Sequence, residues 1–194
     1  MSEFYKLILP DFTSYGYTFC PGWNRDYDGR LGFHFSTLQH VFDGALENDV
    51  DVMRFWLVRV FVDDNHDVEQ VRRCHYRSRC IFLSCWRLVQ DCRDDVRVVA
   101  AYPPLVALQT NDQFVMEVLR QNGGALRFLR DGDKSYDRCM AATRNDMNAL
   151  DAVPQRHMTN ELVLPLLAMN PALLRHVHSP TREMSDCSLV EEIS

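Results

Sequence analysis

The amino-acid sequence predicts an α+β protein in which a small β-rich domain precedes a short array of α-helical hairpins. Three observations predict it. Aromatic residues, glycines and short alternating apolar runs crowd residues 1–90. The remainder falls into apolar stretches at helical spacing, interrupted by Pro, Asn and Gly. Within that remainder the sequence repeats itself. The expected divisions are a β-rich domain with one short helix over 1–90, hairpin repeats over 91–178, and a polar, acidic, loosely held tail over 179–194.

In the first part, Phe4 to Leu9 reads as a strand ended by Pro10, and Tyr15 to Phe19 as a second one before the turn at Pro21 and Gly22. Gly32 to Phe35 makes a third. Leu38, Val41 and Phe42 have helical spacing, which predicts a short helix over 36–42 capped by Ser36 or Thr37. The run from Met53 to Val62 places Phe55, Leu57, Arg59 and Phe61 on one face and Trp56, Val58, Val60 and Val62 on the other. That is the pattern of a central strand covered on most of both faces. Arg79 to Ser84 is its expected antiparallel partner, reached through the polar connection 63–77.

In the second part, a shift of 24 residues superposes Val118 on Ala142 and Leu166, Ala125 on Ala149 and Leu173, and Leu126 on Leu150 and Leu174. Leu129, Val153 and Val177 coincide as well, as do Val115, Cys139 and Val163. Each unit runs as an apolar helix, a polar break at Asn122, Asn145 or Asn170, and a second short apolar helix. So short a hairpin cannot bury its apolar face alone, so the copies must stack. Arg138 interrupts the pattern where Phe114 and Leu162 are apolar, and Pro165 is expected to kink the last unit. A shorter unit is expected ahead of these, with Asp95 to Tyr102 and Pro103 to Leu108 as its two helices.

Composition limits the function classes. A chain of 194 residues, 46% apolar, can bury a sizeable core. No run of about 18 apolar residues is present to span a bilayer, and the opening residues lack the basic flank and cleavage site of a secretion signal. Seven cysteines without CxxC spacing read as free thiols of a reducing compartment, so an intracellular protein is expected. A net charge of −6 argues against a broad, sequence-independent grip on nucleic acid. Lysine occurs only as Lys6 and Lys134, the other basic residues being arginine.

The stretch Asn111 to Leu129, with its aspartate, its valines and its N-x-x-A-L pattern, resembles the helical-hairpin repeat of domain of unknown function family 4116. That repeat is found in giant DNA viruses and in effectors of intracellular bacteria. The later units, ending in NALDAV and NPALLRHV, are similar, so the resemblance covers about residues 110–178. The first part, through Tyr5 and Lys6, Gly16 and Tyr17, and Gly32 to Phe35, is similar to small uncharacterised domains of phages and giant viruses, although Ser36 stands where many of them have Cys. Both resemblances imply a large DNA virus of a single-celled host, and neither implies an activity.

Catalytic motifs are sparse. The stretch Gly32 to Thr37 is similar to the strand that helps shape the nicotinamide pocket of ADP-ribosyltransferases. Those enzymes also use a glutamate on a late strand, whereas Arg79 to Ser84 carries no carboxylate and Glu69 lies in the preceding polar segment. His34, His40, His66 and His75 with Cys74, Cys80 and Cys85 have the donor types of a zinc site but not the paired spacing, so no metal or other cofactor is expected. Arg72, Arg73, Arg77 and Arg79 form the one compact basic cluster, either an anion or acidic-partner site or a solvated connection balanced by Asp63, Asp64, Asp67 and Glu69. On the repeats, Arg120, Gln121, Arg127, Arg130 and Arg144 remain for a recognition face.

The expected function is non-catalytic: an interaction or adaptor protein that binds a protein partner inside the infected cell. The alternatives are a structural protein packaged in the virion and a degenerate ADP-ribosyltransferase-like enzyme using NAD.

Overall fold

The computed structural model describes residues 3–14, 16–26, 32–62, 68–177 and 179–189. They form two compact units, Met1–Tyr102 and Pro103–Ser194. The division follows Tyr102 rather than residue 90, because residues 89–97 are tied back to Glu3 and to Met53 and Phe55. Val89 N donates to Phe55 O at 3.0 Å, Gln90 N to Met53 O at 3.1 Å, and Arg97 pairs with Glu3 at 3.1 Å.

The first unit is an antiparallel sheet. Its strands are β1 (Phe4–Ile8), β4 (Gly22–Arg25), β5 (Phe33–Thr37), β6 (Trp56–Val62), β7 (Glu69–Arg72), β8 (His75–Ser78) and β9 (Cys80–Leu88), in the order β4-β9-β6-β1-β5-β8-β7. A two-stranded ribbon, β2 (Thr13–Ser14) and β3 (Tyr17–Thr18), stands where the second strand is expected. Tyr15 lies outside the described residues. As expected, β6 is central and β9 pairs with it antiparallel. The described part of the polar connection between them holds β7 and β8, which add to β5 on the far side.

β8 and β9 are separated by Arg79 alone, yet β8 pairs with β5 and β9 with β6. The stretch His75–Leu88 therefore joins both ends of the β6–β1–β5 ladder and curls the sheet into a ring. Gly32 enters β5 at φ +70°, where a Cβ would meet Ser78 O at 3.0 Å, so the approach of β5 to β8 favours glycine there. Ile8, Phe19, Phe33, Phe35, Val58, Val60, Ile81 and Leu83 form the core cluster. The outer face of β6 is covered only in part, since Leu57 is buried but Phe61 is exposed.

Ser36 and Thr37 do not cap a helix over 36–42. They end β5, where the Ser36 hydroxyl donates to Cys74 O and Thr37 Oγ1 lies 2.8 Å from His40 Nδ1. Pairing with β1 and β8 outweighs the local capping preference. The helix, α1, comes later at Asp43–Glu47 and has no side-chain cap.

Lys6 lies on β1 between Phe4 and Ile8 and is buried, its Nζ donating to His34 O at 2.8 Å and standing 5.0 Å from the Phe19 ring centre. Burial lowers its pKa from 10.5 to about 8. Between those pH values the unfolded chain binds more protons than the folded one, so folding stability rises with pH by about 3 kcal/mol. That contribution is complete above 10.5 and is lost as pH falls through about 8. The Lys6→Met variant lacks this titration. Urea unfolding of both proteins at neutral pH and at high pH should therefore show their stability difference moving toward the wild type by about 3 kcal/mol. A difference that stays flat with pH would mean that the ammonium is solvated.

The region 89–108 carries a 3₁₀ turn at Val89–Cys92, α2 at Val96–Ala101 and a 3₁₀ segment at Pro103–Leu108. Asp95 caps α2 by accepting from Arg97 N at 3.1 Å. In the second unit, α3 (Asp112–Gln121), α4 (Tyr136–Asn145) and α5 (Asn160–Met169) are each followed by a 3₁₀ segment, Gly123–Phe128, Met147–Ala152 and Pro171–His176. Every element recurs at the 24-residue step seen in the sequence. Asn111, Ser135 and Thr159 cap the three helices through their side-chain oxygens.

The break residues are Asn122, Asp146 and Asn170, all extended, so Asn145 is not the equivalent position. Asn145 instead spans two units, its Nδ2 donating to Arg120 O at 2.7 Å and its Oδ1 accepting from Gly123 N at 2.7 Å. Val115, Cys139, Val163, Leu126 and Leu150 are fully buried, but Leu174 is only half-buried and Leu173 takes the core position. Arg138 bridges units rather than breaking them, bonding Asp112 at 2.9 Å and Asp133 O at 2.6 Å. α5 continues through Pro165, which is exposed. The described part of the tail is not loose: α6 (Arg182–Leu189) packs on α5 with Met184 fully buried.

Candidate recognition groove on the helical repeats

The repeat step sets Met116 beside Met140 and Arg120 beside Arg144, because each pair occupies the same position on α3 and α4. These four side chains line a groove of about 630 Å³, closed by Tyr136, Asp137, Asn145 and Glu161. Both methionines are half-buried, so the groove floor is apolar and adaptable while its arginines are exposed. Arg120 is 3.5 Å from Glu117 across an exposed pair that contributes little. Arg144 has no ion-pair partner among the described residues. The buried Tyr136 hydroxyl lacks a hydrogen-bond partner among the described residues. Such a group is stabilised by any acceptor brought to it.

Of the arginines expected to recognise a partner, only Arg120 and Arg144 line this groove. Arg127 lies on the 3₁₀ segment Gly123–Phe128 and Arg130 just beyond it, both exposed. Gln121 ends α3, where its side chain bonds Glu117 at 3.1 Å. The methionines, Tyr136 and Asn145 are the groove residues that the apolar pattern alone misses. Carrying the 24-residue step over to the non-core positions would have paired Met116 with Met140.

The basic cluster of the first unit is spread over the β7–β8 hairpin. Arg72 and Arg73 are exposed, Arg77 is 2.6 Å from Glu69, and Arg79 is the exposed link to β9. Glu69 is thus the carboxylate that answers Arg77, whereas Asp63, Asp64 and Asp67 lie outside the described residues. β9 itself carries no carboxylate, and Glu69 stands on β7, two strands from Ser36.

His34, His40 and His75 line a second cavity, in the first unit, while Cys80 is buried and Cys85 exposed. Among the described residues no three His, Cys, Asp or Glu side chains come together to hold a metal ion, and His66 lies outside them. No helix among the described residues is long and apolar enough to cross a membrane. Compared with protein-family models, with curated proteins and with solved structures, the chain matches none.

Proposed function

We propose that the chain is a non-catalytic interaction protein whose second unit binds a peptide segment of a protein partner in the α3–α4 groove. One observation carries the reading: the stacked repeat brings Met116 and Met140 into one apolar floor flanked by exposed Arg120 and Arg144. Stacked helical repeats use such repeated surface positions as extended binding faces. An apolar side chain fits between the methionines, and a neighbouring carboxylate fits the arginines. The resemblance of residues 110–178 to a repeat of giant DNA viruses supports an adaptor role inside an infected cell.

Selection of a random peptide library on the purified chain tests it. Enriched peptides should carry one or two large apolar residues beside Asp or Glu. The variant Met116→Ser/Met140→Ser should weaken a selected peptide by about tenfold or more, and Arg120→Glu/Arg144→Glu should shift selection toward basic peptides. Circular dichroism melting would confirm that both variants fold. Binding that survives in both folded variants but is lost in Arg72→Glu/Arg73→Glu would move the recognition face to the β7–β8 hairpin and end this proposal.

A further inference from the structure

The first unit contains a cavity of about 510 Å³, within the size range of small-molecule sites. One wall is the outer face of the sheet. Tyr5, Ser36 and His75 form a single rung across β1, β5 and β8, and His34 lies two residues from Ser36 on the same face of β5. The alternation of β5 explains the placement, since Phe33 and Phe35 turn to the core and leave His34 and Ser36 on the cavity side. The opposite wall comes from the segment after β5, through Val41, Ala45, Val52 and Phe55. It is apolar.

The polar side of the cavity is also electropositive. Burial first, and then the positive charges of Lys6, Arg77 and His75, hold the His34 ring below its ordinary pKa. Of these neighbours Lys6 and Arg77 are the permanent cations, and the Arg77 charge is partly answered by Glu69. The Ser36 and Tyr5 hydroxyls are already committed, to Cys74 O and to Glu3. The cavity thus joins an apolar side to an end lined by His34, His75 and the buried Lys6.

We propose that this cavity binds a small amphiphilic anion, with its apolar body against Val41, Val52 and Phe55 and its carboxylate beside His34 and His75. Lys6 also lines the cavity, its Nζ bonded to the His34 carbonyl, and adds a positive charge close to that end. The carboxylate is favoured over a neutral head group because His34 can donate to it, and its charge offsets the cations that oppose protonation of the ring. The site is independent of the peptide groove, which lies in the other unit.

Calorimetric titration of the full chain with octanoate, octanol and acetate tests the proposal. Octanoate should bind once per chain, octanol about tenfold more weakly, and acetate not measurably, because it lacks the apolar body. His34→Gln should weaken octanoate several-fold and leave octanol unchanged, and Ala45→Phe, which fills the apolar side, should remove both. Melting by circular dichroism checks each variant, and His34→Gln carries the test if Ala45→Phe does not fold. Equal affinity for octanol and octanoate, no binding of octanoate, or octanoate binding untouched by a folded His34→Gln would each overturn it.

Discussion

Replacing Gly123 with Ala is expected to cost the second unit about 3 kcal/mol or more, at the top of the range for over-packing. A Cβ at this position would stand 2.3 Å from Ala142 O and 3.1 Å from Asp146 Cβ. The nearest obstacle is helix backbone, which cannot rotate away. Separating the units by the needed distance would also stretch the 2.7 Å bond from Gly123 N to Asn145 Oδ1. Two nearby glycines serve as controls. At Gly132 a Cβ meets nothing within 4 Å, and at Gly124 its nearest neighbour is the Asn122 side chain at 3.2 Å. Gly132→Ala should therefore melt like the wild type, and Gly124→Ala within a few degrees of it, while Gly123→Ala melts far lower. A Gly123→Ala protein as stable as the Gly132→Ala control would show that the α3–α4 packing is looser than described.

Truncating the stacked leucines gives the second large effect. Leu126→Ala and Leu150→Ala should each cost about 2–5 kcal/mol, since both side chains are fully buried between units. In the third unit the cost moves by one residue: Leu173→Ala should fall in the same range and Leu174→Ala well below it. The reason lies in the end of the array. Gly123–Phe128 packs on Met147–Ala152, and that on Pro171–His176, but the last segment is followed by α6 in place of another hairpin. Leu173, at the position of Ala125 and Ala149, fills the core with its larger side chain, and Leu174 is left half-buried. Urea unfolding of the four variants separates these expectations, and equal losses at Leu173 and Leu174 would refute the shifted packing.

Much of the candidate groove was hidden from pattern reading for a simple reason. The apolar stripe identifies which residues face the neighbouring hairpin, and Val115, Val118, Cys139 and Ala142 are all buried as that stripe requires. Met116 and Met140 lie beside the stripe and gain meaning only when two helices set them side by side. The three histidines of the cavity illustrate the same limit. His75 is about forty residues from His34 and His40, and only the pairing of β5 with β8 brings it to them.

The sequence by itself determined the α+β class, the central strand β6 with its partner β9, and the 24-residue repeat, because each rests on a local period of apolar residues that packing preserves. Tertiary structure decided what carries no such period. The β7–β8 hairpin is largely polar, with all of β7 exposed, and becomes sheet only by adding to β5. Ser36 and Thr37 have the side chains of a helix cap, yet backbone pairing holds them extended, Ser36 between β1 and β8 and Thr37 against β1. The curling of the sheet through Arg79 and the anchoring of residues 89–97 to the first unit are long-range closures as well. Their cost in chain entropy is offset by contacts between residues far apart in the chain, which no local window of sequence contains.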